Sequence, residues 1–341
     1  MQIKKVAYFI LTISALLIAS YFLQPLKRGT GLNTNRKYAL VTEWPQFSND
    51  LKIGNPTGIC IDTNQNIVIF HRGKRDWPLL GSMPTTMIQD KTILIVDKGT
   101  GKLIDSWGDN LFIMPHGLKV DKENNIWITD CGLNQVFKFT HDGKLIMKLG
   151  EANISGNDSL HFDKPTDIAI TNDGSFYVSD GYGNSRIVKY SAEGKYLFEW
   201  GKKGNNKGEF NIPHSITLDN SGNVYVADRE NNRIQVFDQR GKFIKQFADK
   251  SFGVMCAIAF DKEKSNLFAV DDFTFLKLKH RGSDVFIFDI GGQVQTRFGR
   301  SDYYSGSTSW YHDLTIDKED NIYVGDILNN RIQKFKLVSA E

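Results

Sequence analysis

The 341-residue chain carries 42 Lys+Arg against 39 Asp+Glu, a net charge of +3, and 40% of its residues are hydrophobic. This balance removes the electrostatic case for nucleic-acid binding, and the length allows one large domain or two ordinary ones with an ample core. Three cysteines, Cys60, Cys131 and Cys256, are an odd number without CxxC spacing, so neither a disulfide framework nor a thiolate metal site is implied and buried thiols are expected.

At the N-terminus, Val6 to Leu23 is an 18-residue apolar run without charge, preceded by Lys4 and Lys5. That is the pattern of a signal peptide or membrane anchor. Residues 1–30 are therefore expected to be such a segment with a short linker. The protein is expected to be exported, to an extracytoplasmic or periplasmic location, and to touch a membrane only through this segment. Residues 37–341 are expected to form one domain, acting as a monomer.

That remainder repeats a unit of apolar strand, Asp/Asn/Gly turn, second strand ending in Asp, polar loop, third strand, DGK-like turn and fourth strand. Thr166 to Ile170, Ser175 to Ser179, Arg186 to Tyr190 and Tyr196 to Trp200 form one such unit. Six units align at Thr57, His116, Thr166, His214, Cys256 and His312, 42 to 59 residues apart. Strand alternation, Gly-rich turns and the lack of a long helical period predict an all-β fold, a six-bladed β-propeller. Blade one holds an insertion, Gly73 to Lys91, and a basic loop runs through Lys277, Lys279, His280 and Arg281. The sixth unit ends after its third strand, so Tyr38 to Trp44 is predicted to supply its fourth.

Three histidines share one register in alternate units, in Pro115-His116-Gly117, Pro213-His214-Ser215 and Tyr311-His312-Asp313. Blades two, four and six of a six-membered ring are about 120° apart, so equivalent residues at the start of each inner strand converge on the axis. Three neutral imidazoles with an open fourth position suit a catalytic zinc, with copper and iron as alternatives. Residues just after each second strand surround the same mouth. Arg72 and Arg229 stand outside the repeat's arginine register and are candidates for binding a substrate carboxylate. Tyr182, one residue further along in blade three, becomes a base if an arginine or metal cation lowers its pKa from about 10. Arg186, Arg233 and Arg331 recur in register with Asp180, Asp228 and Asp326 and are predicted to form structural ion pairs.

Several blocks resemble the NHL-repeat propellers and, more closely, the peptidyl-α-hydroxyglycine α-amidating lyase family. They are Ile69-Phe70-His71-Arg72-Gly73, Met114-Pro115-His116-Gly117-Leu118, Asp180-Gly181-Tyr182-Gly183-Asn184-Ser185-Arg186, Ala227-Asp228-Arg229-Glu230-Asn231 and His312-Asp313. The resemblance implies zinc on His116, His214 and His312, with Tyr182 as catalytic base and Arg72 and Arg229 as active-site arginines. It also implies a structural calcium on the carbonyls of Ile59 and Leu118 and the carboxylate of Asp313. The implied reaction breaks the carbon–nitrogen bond of a C-terminal α-hydroxyglycine or similar carbinolamide, leaving an amide and glyoxylate. Its substrate would be a peptide or small molecule with a terminal carboxylate. The alternative is a non-enzymatic NHL propeller that binds a protein or glycan at the membrane surface.

Overall fold

The computed structural model describes residues 36–339 apart from 49, 79–81, 273, 276–278, 281 and 300–307. The apolar run Val6 to Leu23 and the predicted segment 1–30 lie outside the described residues. Among those described, no helix is long and apolar enough to cross a membrane. Six four-stranded antiparallel sheets form the six blades of the predicted propeller.

Blades one to four are simple meanders, and the strands of each blade differ in burial for a geometric reason. The second strands, such as Ile126–Asp130 and Phe176–Asp180, are flanked by neighbouring blades on both faces and are buried along their whole length. Outer strands such as Leu103–Trp107 and Tyr196–Trp200 are splayed apart and largely exposed. The core is therefore a set of clusters between adjacent blades. Tyr177 and Phe210, for example, pack with Val226 and Phe237 across blades three and four. Each such side chain contributes about 1.5 to 3 kcal/mol by leaving water.

Blade six is closed as predicted, by the N-terminal strand Arg36–Leu40 against Arg331–Ser339, with Arg36 opposite Ser339 and Leu40 opposite Phe335. The strand lies earlier than the Tyr38 to Trp44 expectation. The chain leaves the sheet before Pro45, which has no N–H for a ladder, and Trp44 turns inward against Tyr323 with ring centroids 5.1 Å apart. The predicted ion pairs are present: Arg186–Asp180 at 3.0 Å, Arg233–Asp228 at 2.7 Å and Arg331–Asp326 at 2.9 Å. Blade five adds a pair at a shifted position, Arg297–Asp284 at 2.8 Å. Cys131 and Cys256 are buried free thiols, as predicted, whereas Cys60 is only partly buried. In the basic loop, Lys279–His280 pairs with Thr274–Phe275, while Lys277 and Arg281 lie outside the described residues.

One irregularity recurs in all six blades. Pairing between first and second strands skips the register residue, between Pro56 and Gly58, Pro115 and Leu118, Pro165 and Asp167, Pro213 and Ser215, Met255 and Ala257, and Tyr311 and Asp313. A bulge releases a residue from the ladder and re-aims its side chain. The six released residues are Thr57, His116, Thr166, His214, Cys256 and His312, at the mouth of the channel.

Candidate metal centre

The bulges in blades two, four and six turn their histidines inward. His116, His214 and His312 have ring centroids 4.7, 4.7 and 4.9 Å apart, with interplanar angles of 70° to 72°, a near-threefold arrangement. One ring nitrogen of each lies within 4.8 Å of the others. The bulges of the other three blades hold them there. His116 Nδ1 donates to the Thr166 carbonyl at 2.7 Å, His214 Nδ1 to that of Cys256 at 2.5 Å, and His312 Nδ1 to that of Thr57 at 2.9 Å. Carbonyl acceptance requires a proton on Nδ1, so each Nε2 presents a lone pair to the axis.

Burial lowers the pKa of His116 and His214 well below the usual value, with the neighbouring histidines adding to the effect. His312 falls to about 3, through burial and then the nearby Arg72 charge. The ligand set is therefore neutral at physiological pH. Tyr182 brings the one nearby proton, its hydroxyl 2.9 Å from His214 Nε2 and 3.2 Å from His116 Nε2. A phenol donates once, so two of three inward lone pairs lack a donor, and His312 Nε2 is buried without any hydrogen-bond partner. An orphaned lone pair of this kind costs about 1 to 3 kcal/mol. A cation on the axis satisfies all three, and the residues fit zinc.

Tyr182 is positioned by glycines on either side. A Cβ on Gly181 would lie 2.1 Å from the Pro213 carbonyl oxygen, and one on Gly183 would lie 1.9 Å from the Asp163 carboxyl carbon. Only a bare backbone passes through this gap between blades three and four. The expectation that an arginine alone lowers the Tyr182 pKa is not met. Burial raises it to about 12, outweighing the opposing charges of Arg229 and Arg72.

Arg72 is 2% exposed, donates through Nε to the Pro115 carbonyl at 3.0 Å, and leaves Nη2 without a partner. Arg229 opens the single turn Arg229–Asn231, lies 3.5 Å from Glu230 and leaves its buried Nε without a partner. Unsatisfied buried guanidinium N–H groups beside an orphaned imidazole await an anionic, oxygen-rich guest.

Sequence reasoning missed Trp77, which lies in the blade-one insertion. Its ring lies 4.6 Å from that of Tyr182, 6.4 Å from that of His116, and 5.1 Å from the Arg72 guanidinium carbon. The insertion is pinned across the mouth by Arg75, whose Nη1 donates to the carbonyls of Thr86 and Ile113 at 2.6 and 2.7 Å. An aromatic residue inside an insertion beside the register arginine was the available signal. The odd-blade carbonyls left no signal, because any residue supplies one.

The calcium set implied for Ile59, Leu118 and Asp313 meets a competing cation. Each Asp313 carboxylate oxygen accepts one backbone N–H, from Ile59 and Leu314 at 2.9 Å each, and keeps a second lone pair. An ammonium is also already present: Lys119 Nζ lies 3.1 Å from Asp167 Oδ1. Burial alone would lower the Lys119 pKa, but Asp167 and Asp313 overcome it and raise it above the usual value.

Residues 112–139, 162–190 and 210–237 match the family described as NHL repeat. The chain is 35% identical over 318 residues to peptidyl-glycine alpha-amidating monooxygenase B of Xenopus laevis, covering 88% of this chain and 36% of that protein. It is 41% identical over 179 residues to peptidyl-alpha-hydroxyglycine alpha-amidating lyase 1 of Drosophila melanogaster, covering 49% of this chain and 32% of that protein. The chain thus spans about a third of the length of these relatives. Among solved structures, a catalytically inactive virginiamycin B lyase from Staphylococcus aureus superposes with a TM-score of 0.56 at 16% identity, covering 90% of this chain and 89% of that one. This last likeness speaks to the fold.

Proposed function

Because the chain belongs with the peptidyl-α-hydroxyglycine α-amidating lyases in sequence and with the NHL-repeat six-bladed propellers in fold, we propose that it is a zinc-dependent carbon–nitrogen lyase. Its substrate would be a peptide or small molecule ending in α-hydroxyglycine or a similar carbinolamide, and its products an amide and glyoxylate. The observation that carries this reading is the meeting of three neutral, inward-facing imidazoles with one phenol and two under-satisfied guanidiniums.

The reaction is an elimination that consumes no water. The substrate hydroxyl loses its proton, the carbinol carbon becomes the aldehyde carbon of glyoxylate, and the electron pair of the broken C–N bond leaves with the amide nitrogen, which takes up a proton. Zinc held by His116, His214 and His312 would supply Lewis acidity toward the substrate oxygen and lower the pKa of hydroxyls beside it. Tyr182 is the group to take the hydroxyl proton and return one to nitrogen, ending the cycle as it began. Its pKa of about 12 without metal makes that role depend on a cation in addition to Arg72 and Arg229. One guanidinium, from Arg72 or Arg229, would hold the terminal carboxylate by charge-assisted hydrogen bonds. Trp77 shields the phenol from water.

The test is glyoxylate release from an N-acyl-α-hydroxyglycine by zinc-loaded protein. Tyr182→Phe is expected to lose about 10²- to 10⁴-fold in kcat while keeping its zinc, the range for removing a general base. Full activity in that variant would remove Tyr182 from the mechanism.

A further inference from the structure

The three histidines share a small cavity with the residues one position beyond the bulges, Gly117, Asp167, Ser215, Ala257 and Asp313, with room for about one water. Its two carboxylates come from opposite blades, three and six. Asp167 Oδ2 accepts the Ser215 hydroxyl at 2.8 Å and the Ile216 N–H at 3.1 Å, and Oδ1 accepts the Ile168 N–H at 2.9 Å. The fourth contact is Lys119, reaching across from blade two with its side chain 20% exposed. Among the described residues no oxygen of Asp167 or Asp313 is buried without a partner, whereas the histidine ring above them has one such nitrogen. The lower level therefore already holds a cation beside its carboxylates.

We propose that Lys119 is the resident cation of the lower channel. Its ammonium supplies the positive charge that the calcium implied for Ile59, Leu118 and Asp313 would bring, and joins blade two to blade three through Asp167. Calcium takes six to eight oxygens and carries two charges. Beside the Lys119 ammonium, in a cavity with room for about one water, it meets repulsion and little space for that many ligands. Removing the lysine side chain reverses both conditions, because it leaves two facing carboxylates and the volume of a long side chain.

The experiment uses the whole protein in calcium-depleted buffer, with bound metals measured by elemental analysis and melting followed with and without millimolar CaCl2. Wild type is expected to hold no stoichiometric calcium and to melt at the same Tm in both buffers. Lys119→Met, which keeps the bulk and removes the charge, is expected to melt lower and to ignore calcium. Lys119→Ala is expected to melt lower and to regain Tm when calcium is added, and not when magnesium is. One equivalent of calcium in wild type, a calcium-dependent wild-type Tm, or a Lys119→Met variant melting like wild type would each overturn the proposal. The wild-type arms decide the matter even if neither variant folds.

Discussion

At the scale of single residues, burial is the largest influence on the pKa of the histidines around the channel and of Tyr182, and His71 shows its consequence for stability. It ends the second strand of blade one, and its Nδ1 accepts N–H groups from Gly73 at 3.0 Å and Gly54 at 3.3 Å. Burial lowers its pKa from the usual 6.5 to about 4. The unfolded chain therefore binds a proton first as pH falls, so the stability from neutral His71 is fully present above 6.5 and is lost on the way down to about 4. The loss is about 3 kcal/mol at most. Asparagine offers an amide oxygen where Nδ1 accepts and does not titrate. His71→Asn is thus expected to flatten the pH dependence of urea unfolding between pH 6.5 and 4, relative to wild type. A parallel pH profile would show that His71 does not set it.

In blades three, four and six, the repeated Asp–Arg pair connects fold to site. Asp228 accepts the Asn211 N–H at 2.7 Å, two residues before the strand that carries His214, while Arg233 ties the same carboxylate to the carbonyls of Asn205, Asn206 and Glu209. The ion pair therefore fixes the loop entering the inner strand, and with it the bulge. Arg233→Ala leaves a buried carboxylate without its partner, which is expected to cost about 3 to 5 kcal/mol in denaturant unfolding. Arg240→Ala, at an exposed turn position, should stay within about 0.5 kcal/mol. Equal effects would show that the pair contributes no more than a surface charge.

These elements also show what was legible in advance. Strand periodicity, DGK-type turns and the recurrence of Asp before Arg marked six blades, because those features are local. The alternating histidines, Tyr182, Arg72 and Arg229 followed once the units were laid around a ring, and the structure brings all six to one mouth. Trp77 and Lys119 reach the channel from an insertion and from an ordinary strand position, where no repeat register marks them. The bulge carbonyls of Thr57, Thr166 and Cys256 act through backbone atoms that every residue shares. The burial that holds Tyr182 near 12 depends on packing from several blades at once.

As a whole molecule, the propeller divides its axis into two levels with opposite demands. Beneath the bulges, an ammonium is paired with one of two buried carboxylates. At the mouth, alternation of histidine and carbonyl leaves lone pairs that nothing in the described protein satisfies. In the proposed function, one zinc ion at this upper level converts a rigid ring into a carbon–nitrogen lyase. The most direct measurement is a zinc titration of metal-stripped protein while glyoxylate release from an N-acyl-α-hydroxyglycine is followed. Activity is predicted to be absent at the start, to rise in proportion to added zinc and to stop rising at one equivalent. Glyoxylate release by the stripped protein, or none at any zinc loading, would contradict it.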